Sequence, residues 1–66
     1  MKNTIRVQRA IHDLTQEELA ARVNVTRQTI NALEAGRYIP SGVLVLKIAQ
    51  VFGQRVEDIF SLEDND

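Results

Sequence analysis

Apolar residues recur along this chain at intervals of three and four, the spacing of one face of an α-helix, and not in the alternation of a half-buried strand. Leu19, Ala20 and Val23 share one such face, and Ile30 and Leu33 share another. Read with its capping signals, the pattern predicts five helical segments in one domain, with no internal repeat or low-complexity tract. The first runs from about Asn3 to His12, capped by Asn3 or Thr4, with Ile5 inward. The second follows Thr15, which fits a capping box with Glu18, each side chain satisfying an orphan amide of the first turn. It ends near Val23, where Asn24 suits the left-handed residue of a chain reversal. The third follows a cap at Thr26 and ends at Gly36, since glycine takes positive φ without strain. Ser41 can cap the fourth, which passes through Val43, Leu44, Val45, Leu46, Ile48, Ala49 and Phe52 and stops at Gly53. It is too apolar for a surface helix and is expected to form the central floor of the core. A short last helix, Val56 to Phe60, closes the domain with Ile59 and Phe60. Strand content is expected to be slight, with Ser61-Leu62-Glu63 a candidate to pair with the N-terminal residues.

The second and third segments, joined through Val23-Asn24-Val25, predict a helix-turn-helix. With Ile30 and Leu33 turned inward, the third helix offers Arg27, Gln28, Asn31 and Ala32 outward. These side chains suit the edges of bases in a DNA major groove. Arg27 can donate twice to guanine, Gln28 can pair bidentately with adenine, and Ala32 is small enough to meet a thymine methyl. Asn31 reaches either a base or a sugar–phosphate oxygen.

A net charge of −1 argues at first against a nucleic-acid partner. Its distribution reverses that. Residues 1–55 hold eight basic and four acidic side chains, a net of +4, whereas residues 56–66 hold five acids and no base, a net of −5. A basic body with an acidic tail is compatible with DNA if the tail points away from the phosphates. Cysteine is absent, which excludes disulfides and thiolate metal sites, and His12 alone cannot build a metal site. That histidine is expected to be a solvated residue near the end of the first helix. No glycine-rich phosphate loop, metal-spaced cluster or serine with a base in reach appears, so an enzyme is not expected, nor a cofactor or small-molecule ligand. No stretch approaches the roughly 20 apolar residues that span a bilayer, and no signal-peptide run opens the chain. A cytoplasmic protein with no membrane partner is the expectation.

Several motifs stand in register. They are Ile5-Arg6 with Arg9, Leu14-Thr15-Gln16-Glu17-Glu18-Leu19-Ala20, Val25-Thr26-Arg27-Gln28-Thr29-Ile30 and Leu33-Glu34. Gly36-Arg37-Tyr38, Pro40-Ser41, Leu46-Lys47-Ile48-Ala49 and Glu57-Asp58-Ile59-Phe60 continue the series. Together they resemble the Cro/C1-type (xenobiotic-response-element-like) helix-turn-helix family over residues 3 to 60. The resemblance implies an all-α, compact five-helix, λ-repressor-like DNA-binding domain over residues 1–60, followed by an acidic tail at 61–66. It also points to the subgroup made of this domain and little else: compact transcriptional regulators, commonly repressors, that bind DNA as dimers. Gly42 and Gln8 stand where that family often has leucine, so the fourth helix is expected to start one residue late. Ile11, Ile39 and Val43 stand where members tend to be polar, and are read as scattered surface hydrophobes ahead of a self-association patch.

The resemblance further implies roles around the readout helix. Gln16 would contact a phosphate at the start of the second helix and brace the first readout residue across the turn. Thr26 and Thr29 would add hydroxyl contacts to the DNA backbone, although Thr26 is already accounted for as a cap. Arg37 and the amide of Tyr38 would form a second phosphate clamp, and Lys2 and Arg6 could reach the backbone beside the first helix. Arg9 and Glu34 would pair as a structural link between the first helix and the end of the third.

One recognition helix reads few base pairs, so a homodimer on a palindromic duplex operator is expected. Its interface is expected at the C-terminal end, through Val56, Ile59, Phe60 and Leu62, with Glu63, Asp64 and Asp66 as a solubilising tail. The main alternative is a protein-interaction module, such as an antitoxin or coactivator built on the same fold. An antitoxin would be expected to carry a toxin-covering segment, for which the six residues after Phe60 are few.

Overall fold

The helical spacing resolves, in a computed structural model that describes residues 1–66, into seven elements. In chain order they are β1 (Lys2–Asn3), α1 (Ile5–Ile11), α2 (Gln16–Val23), α3 (Arg27–Glu34), α4 (Gly42–Phe52), α5 (Val56–Ile59) and β2 (Phe60–Ser61). Their starts follow from capping chemistry. Thr15 accepts from the Glu18 amide at 3.0 Å while Glu18 Oε1 accepts from the Thr15 amide at 3.0 Å, completing the capping box of α2. Thr26 and Ser41 cap α3 and α4 by accepting from the Thr29 and Leu44 amides, each at 3.2 Å. The Ser41 cap places Gly42 inside α4, so that helix does not start late. Its extra glycine is tolerated because the first turn is fixed by the cap.

All four longer helices end alike. Each closes with a left-handed residue whose amide, and the next amide, turn back onto carbonyls of the last turn. The four residues are Asp13, Asn24, Gly36 and Gly53, with φ of 56°, 62°, 76° and 62°. Asp13 in this role is not signalled by the sequence pattern. Helix α1 starts at Ile5 after Thr4, the second of the two expected caps, because Asn3 belongs to β1. From there its Oδ1 accepts from the Ile5 amide at 3.2 Å, and its Nδ2 donates to the Leu33 carbonyl at 2.8 Å.

The core gathers Ile5, Leu14, Leu19, Ala20, Val23, Ile30, Leu33, Leu44, Ile48, Ala49 and Phe52, together with Ile59 and Phe60. α2 packs on α3 and on α4, and α4 on α5. β1 and β2 pair antiparallel, Lys2 opposite Ser61 and Asn3 opposite Phe60. The N-terminal pairing with the chain's end is therefore present, one residue earlier than Ser61-Leu62-Glu63. It has a consequence for Ile59 and Phe60. The sequence pattern places both at a dimer interface, but they are buried in the chain's own core, Ile59 1% and Phe60 7% exposed, so neither can face a partner. The ribbon draws Phe60 under the N-terminal residues.

α4 is only partly a floor. Leu44, Ile48, Ala49 and Phe52 are buried, but Val43 and Leu46 are 64% and 60% exposed. An eleven-residue helix in so small a domain is covered on one side, and apolarity alone does not bring the other side in. Ile11 and Ile39 are exposed as well. His12 is exposed but not merely solvated. Its Nδ1–H donates to the Gln8 carbonyl at 3.0 Å, and its ring lies 5.2 Å from that of Phe52. At the C-terminus, Glu63 and Asp66 fold back so that their carboxylates meet the Met1 α-ammonium at 3.2 and 3.1 Å.

Candidate nucleic-acid interface

α3 owes its presentation to its two sides. Ile30 and Leu33 are buried, which fixes the helix rotation and turns Arg27, Gln28 and Asn31 to solvent. Those three, with Arg37 from the loop beyond Gly36, line one open concavity that holds no acidic and no apolar side chain. Ala32, one turn after Gln28, is half-buried. Arg37 Nη2 lies 3.4 Å from Asn31 Oδ1, so the Asn31 carbonyl is turned toward a cation and its amino group is left free to donate.

The structure thus places Arg37 beside α3, in the same concavity as Arg27, Gln28 and Asn31. Tyr38 instead lines a groove between the turn and α4, together with Val23, Val25, Val43 and Lys47. Thr26 and Thr29 are joined to each other, their hydroxyl oxygens 2.9 Å apart, in addition to the cap. The grouping of Arg37 with Asn31 has no signal in the sequence. It depends on the left-handed turn at Gly36, which swings the next residue back beside the helix.

Behind this face lies a charged network. Arg9 Nε donates to Glu34 Oε2 at 2.6 Å and Arg9 Nη2 to Glu34 Oε1 at 3.1 Å, a two-pronged pair between α1 and the end of α3. Arg9 Nη1 also donates to the Leu14 carbonyl at 2.9 Å, which ties the α1–α2 turn to the same guanidinium. The Glu34 side chain is only 2% exposed. Burial pushes its carboxyl upward, but hydrogen bonds from Arg9 and Gln16 and the charges of Arg9 and Arg6 outweigh that and hold it below the usual carboxylate range. The bond to Glu34 raises the Arg9 guanidinium in turn, against burial. Arg6, 3.7 Å from Glu34 but largely exposed, contributes through its charge. Gln16 Nε2 donates to Glu34 Oε1 at 3.2 Å. The residue expected to brace Arg27 across the turn is thus fastened to Glu34. No local pattern could show this, because the partners are 18 residues apart and meet only when α2 packs on α3.

This architecture has counterparts among known proteins. The helix-turn-helix family model matches residues 5–59. An uncharacterized HTH-type transcriptional regulator of Methanocaldococcus jannaschii is 53% identical over 66 residues, covering the whole of both chains. A Bacillus subtilis protein of the same description, YgzD, is 47% identical over 64 residues, covering 97% of each. Among solved structures, the clp gene regulator ClgR of Corynebacterium glutamicum superposes with a TM-score of 0.76 at 31% identity. That match covers 82% of this chain and 57% of the ClgR chain. The chain belongs to the helix-turn-helix family, Cro/C1 type, a family of DNA-binding transcriptional regulators and not of enzymes. No helix is long and apolar enough to cross a membrane.

Proposed function

We propose that the protein is a cytoplasmic repressor that binds a palindromic duplex operator as a homodimer, with α3 in the major groove. The observation that carries this is the gathering of Arg27, Gln28, Asn31 and Arg37 in one exposed concavity without an acid. Arg27 and Gln28 stand in the first turn of α3, the end that enters a groove in this motif. Each can make a bidentate contact with a purine. Asn31, its carbonyl taken up by Arg37, would donate to a base acceptor, and Ala32 would allow close approach. Gln16, Thr26, Thr29, Arg37 and the Tyr38 amide would serve the phosphates, which set register and orientation.

For the dimer, the burial of Ile59 and Phe60 leaves Val56 and Leu62 of the expected interface, and the structure adds a neighbour. Val56 lines a shallow groove between α4 and α5 with the exposed Leu46, and Arg55 and Glu57 supply opposite charges at its edge. A two-fold axis there would bury Leu46 on both copies.

The test is selection of bound sequences from random duplex DNA at fixed salt, with wild type and Arg27→Ala in parallel. The wild type should enrich a palindrome. Arg27→Ala should lose information at one symmetric pair of positions, a discrimination of about 1–3 kcal/mol. No enrichment by the wild type would turn the assignment to a protein-interaction module that uses the helix-turn-helix as a scaffold.

A further inference from the structure

Of the two arginines in the concavity at α3, Arg37 is the one that does not stand on the helix, and two contacts hold it there. The left-handed turn at Gly36, with φ of 76°, brings the Arg37 backbone amide to the Ala32 carbonyl at 2.9 Å. Its side-chain Nη2 then lies 3.4 Å from Asn31 Oδ1. The concavity is lined by Arg27, Gln28, Asn31 and Arg37, so no carboxylate competes for the guanidinium, and the acceptor it meets is the Asn31 side-chain oxygen. A guanidinium only donates. Arg37 therefore fixes which way the Asn31 amide faces: oxygen toward the arginine, amino group away from it. The reverse orientation would set donor against donor.

The orientation matters because the two ends of that amide read different bases. Asparagine recognises adenine with both ends, its oxygen accepting from N6 while its amino group donates to N7. With the oxygen taken up by Arg37, donors alone are left for the groove. Guanine shows two acceptors there, O6 and N7, whereas adenine sets its N6 donor beside N7. We infer that Arg37 is a specificity-determining positioning residue: by holding the Asn31 carbonyl, it makes Asn31 select guanine over adenine. The inference rests on the DNA-binding function proposed for α3. It adds to the phosphate contact proposed for Arg37, because the guanidinium keeps further N–H donors free. A cation that served the phosphates alone would set affinity about equally on every sequence and leave base preference untouched.

The experiment selects bound sequences from random duplex DNA at fixed salt with wild type, Asn31→Ala, Arg37→Ala and the double variant, each first shown folded by circular dichroism. Both side chains are exposed, so neither substitution opens the core. Asn31→Ala should lose preference at one position per half-site, which marks the base pair that Asn31 reads. There the wild type should favour a G·C pair over A·T by roughly tenfold, the scale of one good base contact. Arg37→Ala should turn the preference at that position to A·T, because the released amide can then face adenine with both ends. The double variant should match Asn31→Ala there, since Arg37 acts through Asn31. An Arg37→Ala variant that binds every sequence more weakly and still selects G·C at that position would overturn the inference. So would a wild type that already selects A·T there, or an Asn31→Ala variant that keeps every wild-type preference. Failure of the wild type to select any duplex would instead remove the DNA-binding function on which the inference stands.

Discussion

α3 and α4 bury nearly the same kind of stripe and turn opposite chemistry outward. α3 seats Ile30 and Leu33 and presents Arg27, Gln28 and Asn31. α4 seats Leu44, Ile48, Ala49 and Phe52 and presents Val43 and Leu46. The inward faces make the domain, and the outward faces carry the partners proposed for it. Polar side chains with forked donors match base edges and phosphates, whereas exposed leucine and valine match another protein surface. They are also held differently. α3 is fastened at its end by a buried ion pair, α4 by hydrophobic contact on one side. A charge pair depends on pH, and apolar contact does not.

The largest effect should come from breaking α4 on its inner face. Ile48 is fully buried, so Ile48→Ala should cost about 4 kcal/mol from lost transfer and the cavity left behind. For a domain of this size that is a large share of the roughly 3–10 kcal/mol available, and denaturant unfolding should show little folded protein at 37 °C.

Next comes the charged fastening of α3. Glu34→Gln strands Arg9 and should cost about 3 kcal/mol, while the preferred operator sequence stays the same. Acid should separate the two helices further. The folded Glu34 carboxyl is held below its unfolded value, so its stabilisation is complete above the ordinary glutamate range and is lost as pH falls through the folded value. Thermal unfolding followed down from pH 7 should show wild type losing stability below about pH 4. Glu34→Gln, starting lower, should lose less over the same interval. Parallel curves would mean that the pair is not what makes α3 sensitive to acid.

The helix ends offer a matched control. Gly36 closes α3 and Gly53 closes α4, both at positive φ. Neither has a close neighbour that an added Cβ would strike, so Gly36→Ala and Gly53→Ala should cost alike, about 1 kcal/mol, from backbone strain alone. Their DNA affinities should part, since only the turn at Gly36 carries Arg37 back to Asn31. The smallest effect on folding should come from the outer face of α4. Leu46→Glu should change monomer stability by less than about 0.5 kcal/mol, yet shift sedimentation from dimer to monomer. A dimer that survives the change would move the interface away from α4.

Much of this fold is legible in the amino-acid sequence. The caps at Thr15, Thr26 and Ser41, the left-handed Asn24 and the glycines at 36 and 53 are local signals, each decided within four residues of chain by orphan amides and allowed φ. The buried stripes of α2 and α3 are legible in the same way. Burial at the periphery is not. Phe60 reads both as closing the domain and as part of a dimer interface, and its pairing opposite Asn3 decides for the first. Leu46 reads as core, and only the lack of a covering element on that side leaves it out, while Val43 is exposed as its reading as a surface hydrophobe expects.

The sequence by itself determined where helices start and stop, which stripe of each is apolar, and that Arg27, Gln28 and Asn31 face outward from the first turns of α3. These are consequences of spacing along a chain with fixed geometry. Tertiary structure decided which apolar stripes find a cover, which cation joins Asn31, and that Gln16 meets Glu34 across 18 residues. Those are contacts between segments, and their selection depends on the free energy of a whole packed arrangement, to which no short stretch of sequence has access.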